Sequence, residues 1–144
     1  MADGDQSDGE VVTILSGDTY RVAFSSGPRA GTTWVVRDAG IDTAERTGAL
    51  GFEGQGAVVR VQELIAPDAR QVRVTEKGLD QFGRIVAQVE TIPSGTNISV
   101  VLKSEGWGPG SDDTIVGDTL YMSFDPRRVG DGFGGDLVVD LTQP

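Results

Sequence analysis

The sequence predicts an α+β fold, mainly β: a five-stranded barrel with two helices, followed by a C-terminal β-rich extension. Three observations predict it. Five stretches read as strands, by period-two alternation or by β-rich composition. Between the third and fourth of them the apolar spacing switches to a helical period, and a shorter helical stretch follows the fifth. Glycine and proline punctuate the boundaries, 21 Gly and 6 Pro in 144 residues, as turns between short elements require.

Residues 1–9 carry three acids and no base and read as an acidic arm, flexible or dependent on a partner. From Val11 the pattern becomes strand-like. Val12 and Ile14 alternate with other residues, Ser16-Gly17-Asp18 offers a bend, and Tyr20, Val22 and Phe24 continue in period two. The turn residues at 25–31 precede a third run, Thr32–Arg37, containing Trp34, Val35 and Val36. Four glycines make 46–56 a loop. Ala57, Val58, Val61, Leu64 and Ile65 then share one helical face, and Pro67 stops that helix. Val72 and Val74 open a fourth strand, 78–83 connects, and Ile85–Val89 returns beside it. Thr96–Glu105 reads as a second helix closed by Gly106.

Three strands, a helix, two strands and a helix are the order of an OB-fold, here spanning 10–108. Beyond it lies an acidic, Gly/Asp-rich extension, 109–144. Leu120–Phe124 and Leu137–Leu141 read as short strands, and Asp112-Asp113 as part of a solvated loop. Trp34 and Trp107 read as core or pocket-lining residues.

Composition narrows the chemistry. With 38% apolar and 24% charged residues the chain is an ordinary globular protein. It contains no cysteine and no histidine, so disulfides, thiolate or imidazole metal sites and histidine acid–base work are excluded. Catalysis must rest on carboxylates, arginines, hydroxyls and hard cations. The net charge is −10, but residues 10–108 contribute only −2 of it. No basic stripe is visible, so tight non-specific binding to DNA is not expected. Ten arginines stand against only two lysines, Lys77 and Lys103. No stretch reads as a membrane span or secretory signal, so no membrane partner is expected; the sequence leaves the location open, with cytoplasmic or virion-associated as the two readings.

Five scattered fragments outline a site for phosphodiester cleavage: Gly17-Asp18-Thr19, Arg37, Asp42-Thr43, Glu45 and Gly83-Arg84. Asp18, at the bend leaving the first strand, and Asp42, just after the third, can meet at one end of a barrel. With a Thr43 carbonyl or hydroxyl they supply oxygen ligands for a hard divalent ion, and calcium tolerates such a small, water-completed set better than magnesium. Glu45 is placed to position or deprotonate a water. Arg37 and Arg84 are planar guanidinium groups suited to phosphate. Singly, each has an ordinary reading as a turn aspartate, a helix or turn cap, or a surface ion pair. Jointly they are the most specific feature of the chain.

Ser16-Gly17-Asp18-Thr19, Arg37, Ile41-Asp42-Thr43-Ala44-Glu45 and Asp80-Gln81-Phe82-Gly83-Arg84 resemble the staphylococcal nuclease-like (thermonuclease) family over roughly residues 11–108. The resemblance implies an OB-fold and calcium-dependent endonucleolytic cleavage of DNA and RNA. It implies metal binding by Asp18, Asp42 and Thr43, a base role for Glu45, and phosphate stabilisation by Arg37 and Arg84. Departures fall mainly around the substrate. Ala44 replaces the proline common in the family, Phe82 lacks a tyrosine hydroxyl, and Gly108–Asp113 lacks the family's pocket tyrosines. The substrate expected is single-stranded or frayed DNA or RNA. The alternative is a non-catalytic structural or interaction module on the same barrel, such as a subunit of a virion or secretion assembly, docking through residues 1–9 and 109–144.

Overall fold

A computed structural model describes residues 4–44, 51–111, 113 and 115, and the backbone of 139–140. The elements in chain order are β1 (Gln6–Ser16), β2 (Thr19–Ser26), β3 (Thr33–Asp38), α1 (Gly51–Ile65), β4 (Gln71–Leu79), β5 (Ile85–Thr91), α2 (Ile98–Ser104) and β6 (Val139–Asp140). The sheet order is β2-β3-β5-β4-β1, and β1 also pairs with β2, closing the barrel. Only β3 and β5 run parallel among these pairs. Closure pairs every one of the five strands on both sides, although β4 covers only Gln6–Glu10 of β1. This is the expected five-stranded, OB-like barrel with two helices.

Alternation explains the strands. Tyr20, Val22 and Phe24 point inward from β2, and Val72 and Val74 from β4, all at most 4% exposed. Ala57, Val58, Val61 and Ile65 form the buried stripe of α1, and Leu64 packs at its margin. Pro67 lies in the single 3₁₀ turn that ends the helix, after which Ala69 and Arg70 adopt left-handed backbone and reverse the chain into β4. Asn97 caps α2, its side-chain oxygen accepting the Val100 N–H at 3.2 Å. Trp34 is core at 3% exposure, and Trp107 packs against the core from outside.

Several boundaries differ from the sequence reading. β1 starts at Gln6, because Gln6–Glu10 ladder onto β4 and Arg73 pairs with Asp8 at 2.9 Å. The last four residues of the expected acidic arm are therefore strand. α1 starts at Gly51, inside the expected loop, because its glycines permit close packing. A Cβ at Gly56 would lie 2.7 Å from the Trp107 ring. α2 is shorter than expected, at Ile98–Ser104. β6 falls within the expected 137–141 strand and extends the sheet by pairing with Thr13 and Ile14 of β1. Leu120–Phe124 lies outside the described residues. None of the helices among the described residues is long and apolar enough to cross a membrane.

Candidate functional site

Asp18 occupies the tight bend between β1 and β2. Its Oδ1 accepts the hydroxyls of Ser16 and Thr19, each at 2.8 Å. Its Oδ2 accepts the Thr43 N–H at 3.0 Å and lies 3.3 Å from Arg37 Nη1. Four donors thus fill the roughly four lone-pair positions of one carboxylate. Gly17 permits this crowding, since a Cβ there would sit 2.7 Å from Ala57 Cβ and 2.8 Å from Thr43 Cγ2.

Arg37 is the penultimate residue of β3, and its side chain is only 5% exposed. Nη1 donates to the Asp38 carbonyl at 2.8 Å. Nη2 donates to Asp42 Oδ1 at 2.6 Å and to Ser111 Oγ at 3.0 Å. Nε lies 3.1 Å from Asp113 Oδ1. Three carboxylates therefore surround one guanidinium, each on a different nitrogen. The segment after the barrel is fastened here by its backbone too: Asp42 N–H donates to the Pro109 carbonyl at 2.9 Å, and Ser111 N–H to that of Gly40 at 3.3 Å. Asp113 is thus bound to the site, with its side chain 15% exposed, and the solvated loop expected there is corrected at that residue.

Asp18, Asp42 and Thr43, the expected metal ligands, do come together. Asp42 is 60% exposed, and Thr43 Oγ1 is buried without a hydrogen-bond partner. An orphaned buried hydroxyl beside two carboxylates is an all-oxygen donor set of the kind that suits a hard cation such as calcium, once Arg37 gives up its hold on Asp18 Oδ2 and Asp42 Oδ1. Among the described residues no group of three or more acids converges as an ion cage. Arg37 competes for the same oxygens of Asp18 and Asp42.

Arg84 sits in the turn between β4 and β5. Asp80 holds it there: Oδ2 accepts Arg84 Nε–H at 2.6 Å, while Oδ1 accepts the backbone N–H of Phe82 and of Arg84 at 2.9 and 3.0 Å. The guanidinium also lies 5.2 Å from the Phe82 ring centroid. Arg37 stands beside Val86 in the parallel β3–β5 pair, and Arg84 immediately precedes β5. Glu45 lies outside the described residues.

Two residues next to the site carry no clear sequence signal. Asp38 is 0% exposed, and its Oδ2 accepts the Tyr20 hydroxyl at 2.9 Å. Burial pushes the Asp38 carboxyl well above the usual range and the Asp18 charge adds to that, while the Tyr20 hydrogen bond and Arg37 oppose it. Burial, followed by the Asp38 charge, raises the Tyr20 phenol well above 10.0. The Asp80 role was readable as an Asp-x-x-Gly turn. Nothing in the spacing links Ser111 or Asp113 to Arg37. Comparison with protein-family profiles gives no match, and comparison with curated proteins gives no significant match.

Proposed function

We propose that this chain is a calcium-dependent endonuclease that hydrolyses phosphodiester bonds of single-stranded or frayed DNA and RNA. The observation that carries the reading is the meeting of Arg37 with Asp18 and Asp42 at one end of the barrel, 3.3 and 2.6 Å away. A strand end, a bend and a loop contribute one residue each, which suits a substrate site better than a local turn. Asp18, Asp42 and Thr43 hold the ion, which when bound supplies Lewis-acid polarisation of a phosphoryl oxygen. Arg37 and Arg84 neutralise charge on the pentacoordinate phosphorus, and Glu45 positions and deprotonates the attacking water. With a chain charge of −10, affinity is modest and falls steeply with salt.

One observation favours a second reading, a non-catalytic structural or interaction module. Arg37 is 5% exposed and already saturated by Asp18, Asp42, Asp113, Ser111 and the Asp38 carbonyl, as a clamp fastening the extension would be. The deciding experiment is cleavage of denatured DNA by the full chain with calcium, with and without EDTA. Chelator-sensitive cleavage that Glu45→Ser and Arg84→Ala each reduce severely supports the nuclease. A chain inert at every calcium concentration leaves the module reading standing.

A further inference from the structure

A cavity of about 240 Å³ opens where α2 lies beside β5 and the residues following β3. Its charge is unlike that of the rest of the molecule. Both lysines of the chain, Lys77 and Lys103, line it, and no acidic side chain does, although the chain holds 22 Asp and Glu. Arg29, Arg37, Arg60, Arg70, Arg73 and Arg84 are each paired with a carboxylate. Neither lysine enters an ion pair among the described residues.

Local structure explains why both lysines face this cavity. Opposite Ala87 and Val86 of β5, the β4 strand carries an extra residue between Glu76 and Gly78, so Lys77 is the bulged position. A bulge re-aims its side chain away from the regular ladder. Lys103 follows Val100 by three on α2, which puts both on one helix face, and Val100 is 60% exposed. Asn97 Oδ1 is already engaged by Ser99 Oγ at 3.1 Å and Val100 N–H at 3.2 Å, so its amide hydrogens remain to donate. Gln88, exposed on β5, supplies a second amide.

We propose that this cavity binds a phosphate monoester of a sugar. The lysines meet the phosphate as point charges, the two amides meet sugar hydroxyls, and the Val100 methyls cover an apolar face. The volume lies below the ~300 Å³ at which drug-sized ligand pockets begin, which suits a body of this size. The inference does not rest on the nuclease reading, since no proposed catalytic or metal residue lines the cavity.

The test is calorimetric titration of the full chain at low ionic strength with ribose 5-phosphate, adenosine monophosphate, ribose and inorganic phosphate. The expected result is that at least one ester binds about tenfold or more tightly than ribose and inorganic phosphate. A tighter mononucleotide identifies a nucleotide site; equal esters identify a sugar-phosphate site. Lys77→Gln with Lys103→Gln weakens ester binding by about tenfold or more, while Arg70→Gln with Arg73→Gln, equal in charge change and away from the cavity, leaves it unaltered. Both lysines are exposed, so the double variant keeps the parent's circular dichroism melt. Independently of any variant, the ester shifts the side-chain amide NMR signals of Asn97 and Gln88. Absence of ester binding up to about 10 mM overturns the proposal. So does binding matched by ribose or by inorganic phosphate, or binding undiminished in the double variant.

Discussion

Arg37 Nε lies 3.1 Å from Asp113 Oδ1, so a residue beyond the barrel shields the guanidinium that the proposed reaction needs. Ser111 Oγ sits on another nitrogen of the same group at 3.0 Å. A carboxylate in that position competes directly with a phosphate for the same donors. Asp113→Asn combined with Ser111→Ala is expected to raise the initial rate of denatured-DNA cleavage by about threefold or more. Stability falls by no more than ~1 kcal/mol, because Asp18 and Asp42 still pair with Arg37. Rates from a fluorescent oligonucleotide, with urea melts alongside, check both parts.

Arg29 and Glu76 form a different kind of pair. Nε and Nη2 reach the two carboxylate oxygens at 2.8 Å each, with the side chains 0% and 1% exposed. The guanidinium also lies 4.6 Å from the Trp34 ring centroid, which ties the β2–β3 turn to the core. Removing one partner strands a buried charge. Glu76→Gln is therefore expected to lower unfolding stability by about 3–5 kcal/mol, whereas Arg29→Met with Glu76→Leu lowers it by less than about 1 kcal/mol. Urea denaturation of the three proteins measures the difference.

The barrel was legible because its inward positions are apolar at period two, as Tyr20, Val22 and Phe24 illustrate. What failed were places where tertiary contacts override local preference. Gly54 and Gly56 lower helix propensity by about 1 kcal/mol each relative to alanine, so the region read as loop. Yet Gly54 is buried and Gly56 abuts Trp107, so packing selects the residues that propensity disfavours. Gln6–Gly9 looked like a polar arm because their partners on β4 lie more than sixty residues away. In the site, Asp18, Arg37, Asp42 and Thr43 were readable as residue types at set positions. The cover of Ser111 and Asp113 was not, because a short acidic loop segment carries no periodicity.

Glu105 links α2 to α1 through a salt bridge whose strength depends on acid titration. Both its oxygens accept Arg60 hydrogens at 2.8 Å, and Oε1 also accepts Trp107 Nε1–H at 3.1 Å. The Arg60 hydrogen bond, followed by that of Trp107, holds the carboxyl below its usual 4.5. A lowered acid stabilises the fold fully above 4.5 and loses that contribution as pH falls through the lowered folded value. The Trp107 emission is expected to change with a midpoint below 4.5, and the change is absent in Glu105→Gln. Salt screens so exposed a pair, so the midpoint moves up towards 4.5 at about 1 M sodium chloride.

Asp18 and Asp42 both touch Arg37, but their surroundings assign them different duties. Asp18 is saturated by Ser16, Thr19, Thr43 and Arg37, and its side chain is 13% exposed. An amide there turns two hydrogens towards donors, so Asp18→Asn is expected to lose about 2–3 kcal/mol of stability along with activity. Asp42 is 60% exposed, so Asp42→Asn changes stability by less than about 1 kcal/mol. If the proposed ion is held there, the same change lowers calcium-dependent cleavage by about tenfold or more. Calcium also raises the parent's melting temperature by mass action, and this shift shrinks in Asp42→Asn. A melt series in calcium and in EDTA, paired with the cleavage assay, separates the proposed ion ligand that also supports the fold, Asp18, from the exposed one, Asp42. An Asp42→Asn protein that keeps both the calcium shift and the parent's rate removes Asp42 from the proposed ion site.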